Sequence, residues 1–172
     1  YNSGESFNAD SMKFNSNESY QTLLKERTVY GGGGIIPDHF VPLDTTGTSA
    51  YFNKLIRKGI FNQFALSWVN KNREYLEKKY PNFDKFNSKF DTQNAVDELI
   101  EYAEVEGLEF KEDQYNKAKH VIHTRLKANI AQDLFNYKKF YQIINDLNNA
   151  LEKSLELLKD DKAFSKLAMN NN

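Results

Sequence analysis

The sequence predicts a mainly α protein: a helical bundle of about five helices, preceded by a short β segment and a polar N-terminal arm. After residue 44, apolar residues recur at i, i+3 and i+4, which is the spacing of amphipathic helices. Residues that favour strands are concentrated in 27–44. Residues 1–26 are rich in Asn, Ser and Glu and lack clear periodicity, so they predict a loop or a poorly ordered arm.

Each predicted helix begins at a capping residue or ends at a helix breaker. Ser49 or Thr48 can cap the first helix, and Gly59 follows its end. The second helix ends before Pro81, because the residue preceding a proline avoids helical geometry. Asp91 can cap the third. The predicted helices are 49–58, 61–79, 91–107, 112–135 and 137–159, with an aromatic-rich connector at 81–90.

The β segment contains two strand-like runs on either side of four glycines. Thr28-Val29-Tyr30 favours one strand, and His39-Phe40-Val41 favours another. Pro42 limits the second to an edge strand or a strand end, because proline cannot donate a ladder hydrogen bond. We therefore divide the chain into an arm (1–26), a β segment (27–44) and a helical domain (45–172).

Composition narrows the function classes. The net charge of −1 provides no overall field for binding nucleic acid or an anionic membrane. The absence of cysteine excludes disulfides and thiol catalysis. No apolar run approaches the ~20 residues needed to span a bilayer, so no transmembrane segment is expected. The chain starts Tyr1-Asn2-Ser3, without initiator Met or signal peptide, which predicts a piece of a longer protein.

Two neighbouring predicted helices have opposite charge. Residues 97–113 contain eight acidic residues and one lysine, whereas 117–127 contain four basic residues and no acidic one. An antiparallel hairpin would bring these stretches together. Exposed ion pairs contribute only about 0–1 kcal/mol each, so the charges are expected to influence partner choice more than stability.

The glycine run does not fit a nucleotide-binding loop. A Walker loop needs Lys and Ser or Thr after its last glycine, because these side chains handle phosphate and magnesium; Ile35, Ile36 and Pro37 follow Gly34 instead. A dinucleotide pattern starting at Gly31 meets Ile36 at its last glycine position. Glycines that allow close backbone approach or positive φ are the favoured interpretation, and no cofactor is expected.

Other candidate chemistry is weak. His120 and His123 lie three residues apart on a predicted helix, but a zinc site needs a third ligand, and the nearby lysines oppose cation binding. Ser88-Lys89 and Ser165-Lys166 are adjacent in sequence, and adjacent side chains on a helix do not face each other. We therefore assign no metal ligand and no catalytic residue.

The stretch R-T-V-Y-G-G-G-G-I-I-P-D-H-F-V-P-L-D resembles a signature of carboxy-terminal processing, or tail-specific, serine peptidases. With the following D-T-T-G, it is similar to the long bacterial branch that has a helical C-terminal extension. Residues 51–73, 125–135 and 141–158 resemble helices of that extension, so the resemblance spans roughly 10–159. The residues that form the structural signature are Gly31, Gly32, Gly33, Gly34, Pro37 and Asp38.

The resemblance implies a serine-type endopeptidase with a Ser/Lys dyad that lies before the glycine segment. Only 1–26 precede it here, and their serines and lysines lack the family's Gly-rich serine motif. The chain is thus expected to be a C-terminal, non-catalytic portion, inactive alone. Its implied partners are the rest of the peptidase core and peptide or protein substrates, with homo-oligomers possible, in the periplasm or cell envelope.

The sequence departs from the family at Asn129, where an aromatic residue is expected, and at Gln132, where an arginine is expected. The alternative is an independent helical protein-interaction module whose β segment is a docking arm.

Overall fold

The structure, a computed structural model, describes residues 19–23, 28–30 and 39–160. It divides into two compact units. The larger unit is Thr45–Leu147, and the smaller unit joins the described parts of 1–44 and 148–172.

The larger unit is helical, so the prediction of a mainly α protein is confirmed. Its elements are α1 (Ala50–Arg57), α2 (Ile60–Lys79), α3 (Phe83–Lys89), α4 (Gln93–Val105), α5 (Glu112–Leu134), α6 (Tyr137–Ile144) and a 3₁₀ turn (Asn145–Leu147).

Side-chain caps and glycines set several of these helix ends. Ser49 Oγ accepts a hydrogen bond from Phe52 N at 3.2 Å, which confirms it as the cap of α1. Gly59 between α1 and α2 has φ of 70°, a left-handed conformation that favours glycine. Asn82 caps α3 by accepting from Lys85 N at 2.9 Å. At α4 the residue before the helix, Thr92, makes no side-chain cap bond; the predicted cap Asp91 does, because its Oδ1 accepts a hydrogen bond from Gln93 N at 2.9 Å.

Helix α5 is the centre of the larger unit. It contacts α1, α2, α4 and α6. No residue from 121 to 135 is fully exposed, because neighbouring helices pack against this half of α5; seven of the fifteen are buried and the rest are partly buried. Leu126, Ile130 and Ala131 are fully buried in the core. Polar side chains on this half of α5 therefore need partners inside the protein.

The predicted connector at 81–90 is wrong in part, because it contains α3. Phe86 of this helix is fully buried, and its ring packs against Phe90, Tyr80 and Phe135 at centroid distances of 4.5, 5.6 and 5.6 Å. The aromatic residues form a packed cluster that holds a seven-residue helix in place.

The single helix predicted over 137–159 is also wrong, because it is interrupted. After α6 and the 3₁₀ turn, α7 (Asn149–Lys159) begins in the smaller unit, where Asn148 Oδ1 accepts from Leu151 N at 3.1 Å. Asn145 is the C-terminal cap of α6 and Asn148 is the N-terminal cap of α7, so the apolar stripe continues where the helix does not.

The smaller unit contains a two-stranded antiparallel sheet within its described residues. Strand β1 (Ser19–Gln21) pairs with β2 (Thr28–Tyr30), with Tyr20 opposite Val29. The strand predicted at 28–30 is confirmed, whereas the loop predicted at 19–21 is wrong. Residues 39–41 do not form the predicted strand.

Candidate functional site

The residues of the glycine signature, Gly31–Gly34, Pro37 and Asp38, lie outside the described residues. The chain that follows them lines an open cleft of about 360 Å³ in the smaller unit. One wall is the extended segment from His39 to Pro42, and the other is the face of α7 that carries Asn149, Glu152, Lys153 and Glu156. Lys153 and Glu156 are joined by a 2.6 Å salt bridge. The cleft thus has an apolar wall and a charged wall.

His123 is held in a network of hydroxyl groups in the larger unit. Its Nδ1 lies 2.6 Å from Thr92 Oγ1, and its Nε2 lies 2.9 Å from the Tyr115 hydroxyl. Burial, followed by the charge of Lys119, lowers the pKa of His123, while Asp91 and Asp97 act in the opposite direction. In the neutral imidazole one ring nitrogen donates and the other accepts, so the network joins the start of α4 to α5.

The structure does not bring the two candidate zinc ligands together into a site. Both ring nitrogens of His123 are engaged by hydroxyl groups, and His120 is exposed. Among the described residues, no group of three or more His, Cys, Asp or Glu side chains could hold a metal ion. His123 can therefore act as a hydrogen-bonding bridge inside the protein.

Ser88 makes no contact of the kind that a serine–lysine pair requires. Its hydroxyl donates to the carbonyl of Asp84 at 2.7 Å, one turn earlier in α3. Ser165 and Lys166 lie outside the described residues. Of the serines and lysines in 1–26, Ser19 alone is described, and it belongs to β1.

The acidic and basic stretches lie on helices that touch, α4 and α5, but their charges do not pair across the contact. No salt bridge joins these two helices, both of which are described throughout. Glu109 pairs instead with Lys111 at 2.8 Å in the intervening loop. Lys58 Nζ donates to the carbonyl of Glu106 at 2.9 Å, at the end of α4. The acidic side chains of 97–113 are exposed to solvent, apart from the partly buried Glu98.

Arg125, on the covered half of α5, has no ionic partner among the described residues. Its guanidinium lies 4.8 Å from the centre of the Phe140 ring, and its Nε is buried without a hydrogen-bond partner. Burial lowers the pKa of Arg125, and the nearby Tyr141 acts in the opposite direction. The Arg125 guanidinium is thus partly desolvated and packed on an aromatic ring, without a carboxylate partner among the described residues.

Two exposed tyrosines of α6 extend the surface that begins at Arg125. The Phe140 ring contacts the Tyr141 ring at 5.3 Å, and Tyr141 contacts Tyr137 at 5.1 Å, with their hydroxyls 2.7 Å apart. Tyr137 and Tyr141 are 62% and 45% exposed. We call Arg125, Tyr137, Lys138 and Tyr141 the basic aromatic surface. In the sequence this surface is marked by two tyrosines at i and i+4 with two lysines between them. The search for helical periodicity did not find it, because that search follows the apolar residues that become buried.

Asn129, where the family resemblance expects an aromatic residue, is a buried polar residue of α5. It is 2% exposed, and its Nδ2 donates to Asn62 Oδ1 on α2. Its own Oδ1 has no partner among the described residues. The amide therefore fixes α5 against α2 by one bond and leaves one acceptor unsatisfied.

The larger unit is a small helical unit built around one central helix, α5. Residues 51–136 match the family of unknown function DUF8443. The match covers half of the chain, from the start of α1 to the end of α5, and the chain belongs to this family. No curated protein and no solved structure matches the chain. None of the helices in the described residues is both long and apolar enough to cross a membrane.

Proposed function

We propose that this chain is the C-terminal, non-catalytic portion of a serine-type carboxy-terminal processing endopeptidase. Its helical unit has an architectural role: it packs against the catalytic core, shapes substrate access or mediates self-association. The observation that carries the proposal is the segment 27–44, in which a strand-forming run, four glycines and Ile-Ile-Pro-Asp resemble the closing segment of such a protease core.

The positions of the helices support the proposal. The resemblance expects helices at 51–73, 125–135 and 141–158. The first two stretches fall on α1 and α2 and on the second half of α5, whereas 141–158, expected as one helix, is divided between α6, the 3₁₀ turn and α7.

The packing of the larger unit supports an architectural role. Its buried residues form one hydrophobic core, with Leu55, Phe61, Val96 and Ile122 among its well-buried members. A unit with its own core can pack beside a catalytic domain without borrowing residues from it. The Ser/Lys dyad, the peptide-binding domain and the envelope location belong to the proposed whole protein.

The test compares the product of the whole gene with this chain. Antibodies against 45–147 recover the native polypeptide from its source cells, and peptide mass spectrometry reads the region before Tyr1. We expect a peptide-binding domain followed by a serine–lysine core. The purified whole product should degrade an unfolded protein substrate, its core Ser→Ala variant should not, and this chain alone should not. A stop or an unrelated domain before Tyr1, or robust cleavage by this chain alone, would overturn the proposal.

A second candidate is an independent helical interaction module with a β docking arm. The observation in its favour is the short β1–β2 ribbon, whose strands each have one edge without a partner strand among the described residues. Open edges can add a strand from another chain. Two-stranded ribbons are marginally stable alone. Amides of 28–30 should therefore exchange quickly in the dilute chain and become protected only when a partner supplies a strand.

A further inference from the structure

We propose that the basic aromatic surface of one copy of this chain binds the acidic end of α4 of a second copy. The acidic end comprises Glu101, Glu104, Val105 and Glu106. The inference specifies a surface for the self-association role in the proposed function and rests on that role alone, not on peptidase activity.

The basic aromatic surface has the composition of an interaction hot spot. Arginine and tyrosine dominate the energetics of protein interfaces, because their large rigid groups combine apolar contact with hydrogen bonding. The Arg125 guanidinium already packs on the Phe140 ring, so its side chain loses little conformational freedom when a partner binds. The stretch from 117 to 145 contains six basic residues and a single acidic one, so carboxylates of a partner meet little repulsion there.

The environment of Arg125 favours a carboxylate partner, and the described residues provide none. It is partly desolvated, and no described carboxylate forms a salt bridge with it. A carboxylate brought by a second molecule would compensate the desolvation and form charge-assisted hydrogen bonds.

The acidic end of α4 has complementary chemistry. Glu101, Glu104 and Glu106 are exposed, and Val105 between them is 84% exposed. Carboxylates at the C-terminal end of a helix face the negative end of its dipole, which is unfavourable. The last turn of α4 contains no basic residue, and Lys58 donates to the backbone carbonyl of Glu106 rather than to a carboxylate. A cationic partner would offset this repulsion, while Val105 would pack against the tyrosine rings.

The second copy is the favoured occupant because both halves of the contact are present in one chain and unused within it. The acidic helix α4 and the basic helix α5 make no salt bridge with each other. A two-fold arrangement uses the acid–base contact twice and closes, so a dimer is expected. The participating areas are small, so the association should be weak and salt-dependent.

The experiment uses sedimentation velocity on the whole chain over a range of concentrations. At about 50 mM salt the weight-average mass should rise toward twice the monomer value, and at about 0.5 M salt it should return to that of the monomer. A chain that stays monomeric at every concentration and salt level would overturn the inference.

Charge exchange tests the two surfaces directly. The variant Glu101→Lys/Glu104→Lys and the variant Arg125→Gln/Lys138→Glu should each remain monomeric, whereas an equal mixture of the two should associate as strongly as the original chain or more so. The matched control Glu74→Lys/Glu152→Lys changes the net charge as much as the first variant but lies on α2 and α7, and should associate normally.

A mixture that stays monomeric, or a control variant that loses association, would refute the assignment of these surfaces. Because Arg125 packs on Phe140, the single variants Lys138→Glu and Tyr141→Ala provide a second route at exposed positions, and each should weaken association at least threefold. Peptidase activity of the whole gene product is measured separately. Its absence would contradict the proposed function, while the charge-exchange result alone decides the inference.

Discussion

Replacement of Phe86 by alanine should severely destabilise the larger unit, because α3 is held by its aromatic contacts. Phe86 is fully buried, and its ring stacks on Phe90 and meets Tyr80 and Phe135 edge-on. A buried phenylalanine removes roughly 150–200 Å² from water, which at about 25 cal/mol per Å² corresponds to about 4–5 kcal/mol. Measured Phe→Ala losses of about 3–5 kcal/mol agree with this figure.

The conservative variant Phe86→Leu separates ring geometry from volume. It keeps most of the apolar volume but loses the aromatic pairs, so it should cost about 1.5 kcal/mol. As a control, Leu66→Ala changes an apolar residue of α2 that is 53% exposed, and it should change the free energy of unfolding by less than about 0.5 kcal/mol.

Trp68 provides the signal for the assay. It is the single tryptophan of the chain, and its ring lies 6.2 Å from Phe90, next to the Phe86 cluster. Urea titration followed by its fluorescence gives the free energy of unfolding and the m-value. For a unit of roughly 100 residues, the Ala variant should also melt at least about 12 °C lower. A loss below about 1.5 kcal/mol for Phe86→Ala would refute the packing of α3 described above.

Three further predictions concern polar and glycine positions. Asn62→Ala removes the partner of the buried Asn129 amide and should cost about 1–3 kcal/mol in urea titrations, whereas a cost near zero would mean that water replaces Asn62. Burial lowers the pKa of His123, so the unfolded chain binds a proton first as pH falls, and stability should decline from about pH 6.5 downward. His123→Gln should remove that part of the decline and the exposed control His120→Gln should not, as thermal melts from pH 7.5 to 5 would reveal. Gly107→Ala, at φ of 73° with no atom near the added Cβ, should cost about 1 kcal/mol from backbone strain alone, and an unchanged melting temperature would contradict this.

The long helices could be predicted from the sequence because their apolar stripes are buried as the spacing requires. The stripe of α5 continues from Tyr115 through Ala118, Ile122, Leu126 and Ile130, all of which are buried. The amphipathic pattern and the burial are the same physical fact, since each helix is stable only when its apolar face is covered.

The short elements could not be predicted in the same way, because tertiary contacts determine them. Helix α3 has seven residues, too few for periodicity to be decisive, although the Asn82 cap followed by Phe83, Phe86 and Phe90 at helical spacing was a usable signal. The break before α7 lies within a continuous leucine stripe, and only the asparagines at 145, 148 and 149 indicated it. Strand β1 consists of Ser19-Tyr20-Gln21, which is defined as a strand by its pairing with β2 rather than by composition.

The candidate surfaces depend on which polar residues of α5 find partners, and no spacing rule reveals that. Across the covered half of this helix, His123 is bonded by two hydroxyl groups, and Lys127 Nζ donates to the Asn87 carbonyl at 2.7 Å. Asn129 binds Asn62. The Arg125 guanidinium, in contrast, packs on the aromatic ring of Phe140. Because His123, Lys127 and Asn129 already hold α5 against its neighbours, the guanidinium of Arg125 is not needed for the same purpose. An arginine that adds desolvation cost without an internal partner is best explained by an external carboxylate, and the exposed tyrosines beside it provide the apolar contact that such a partner would need.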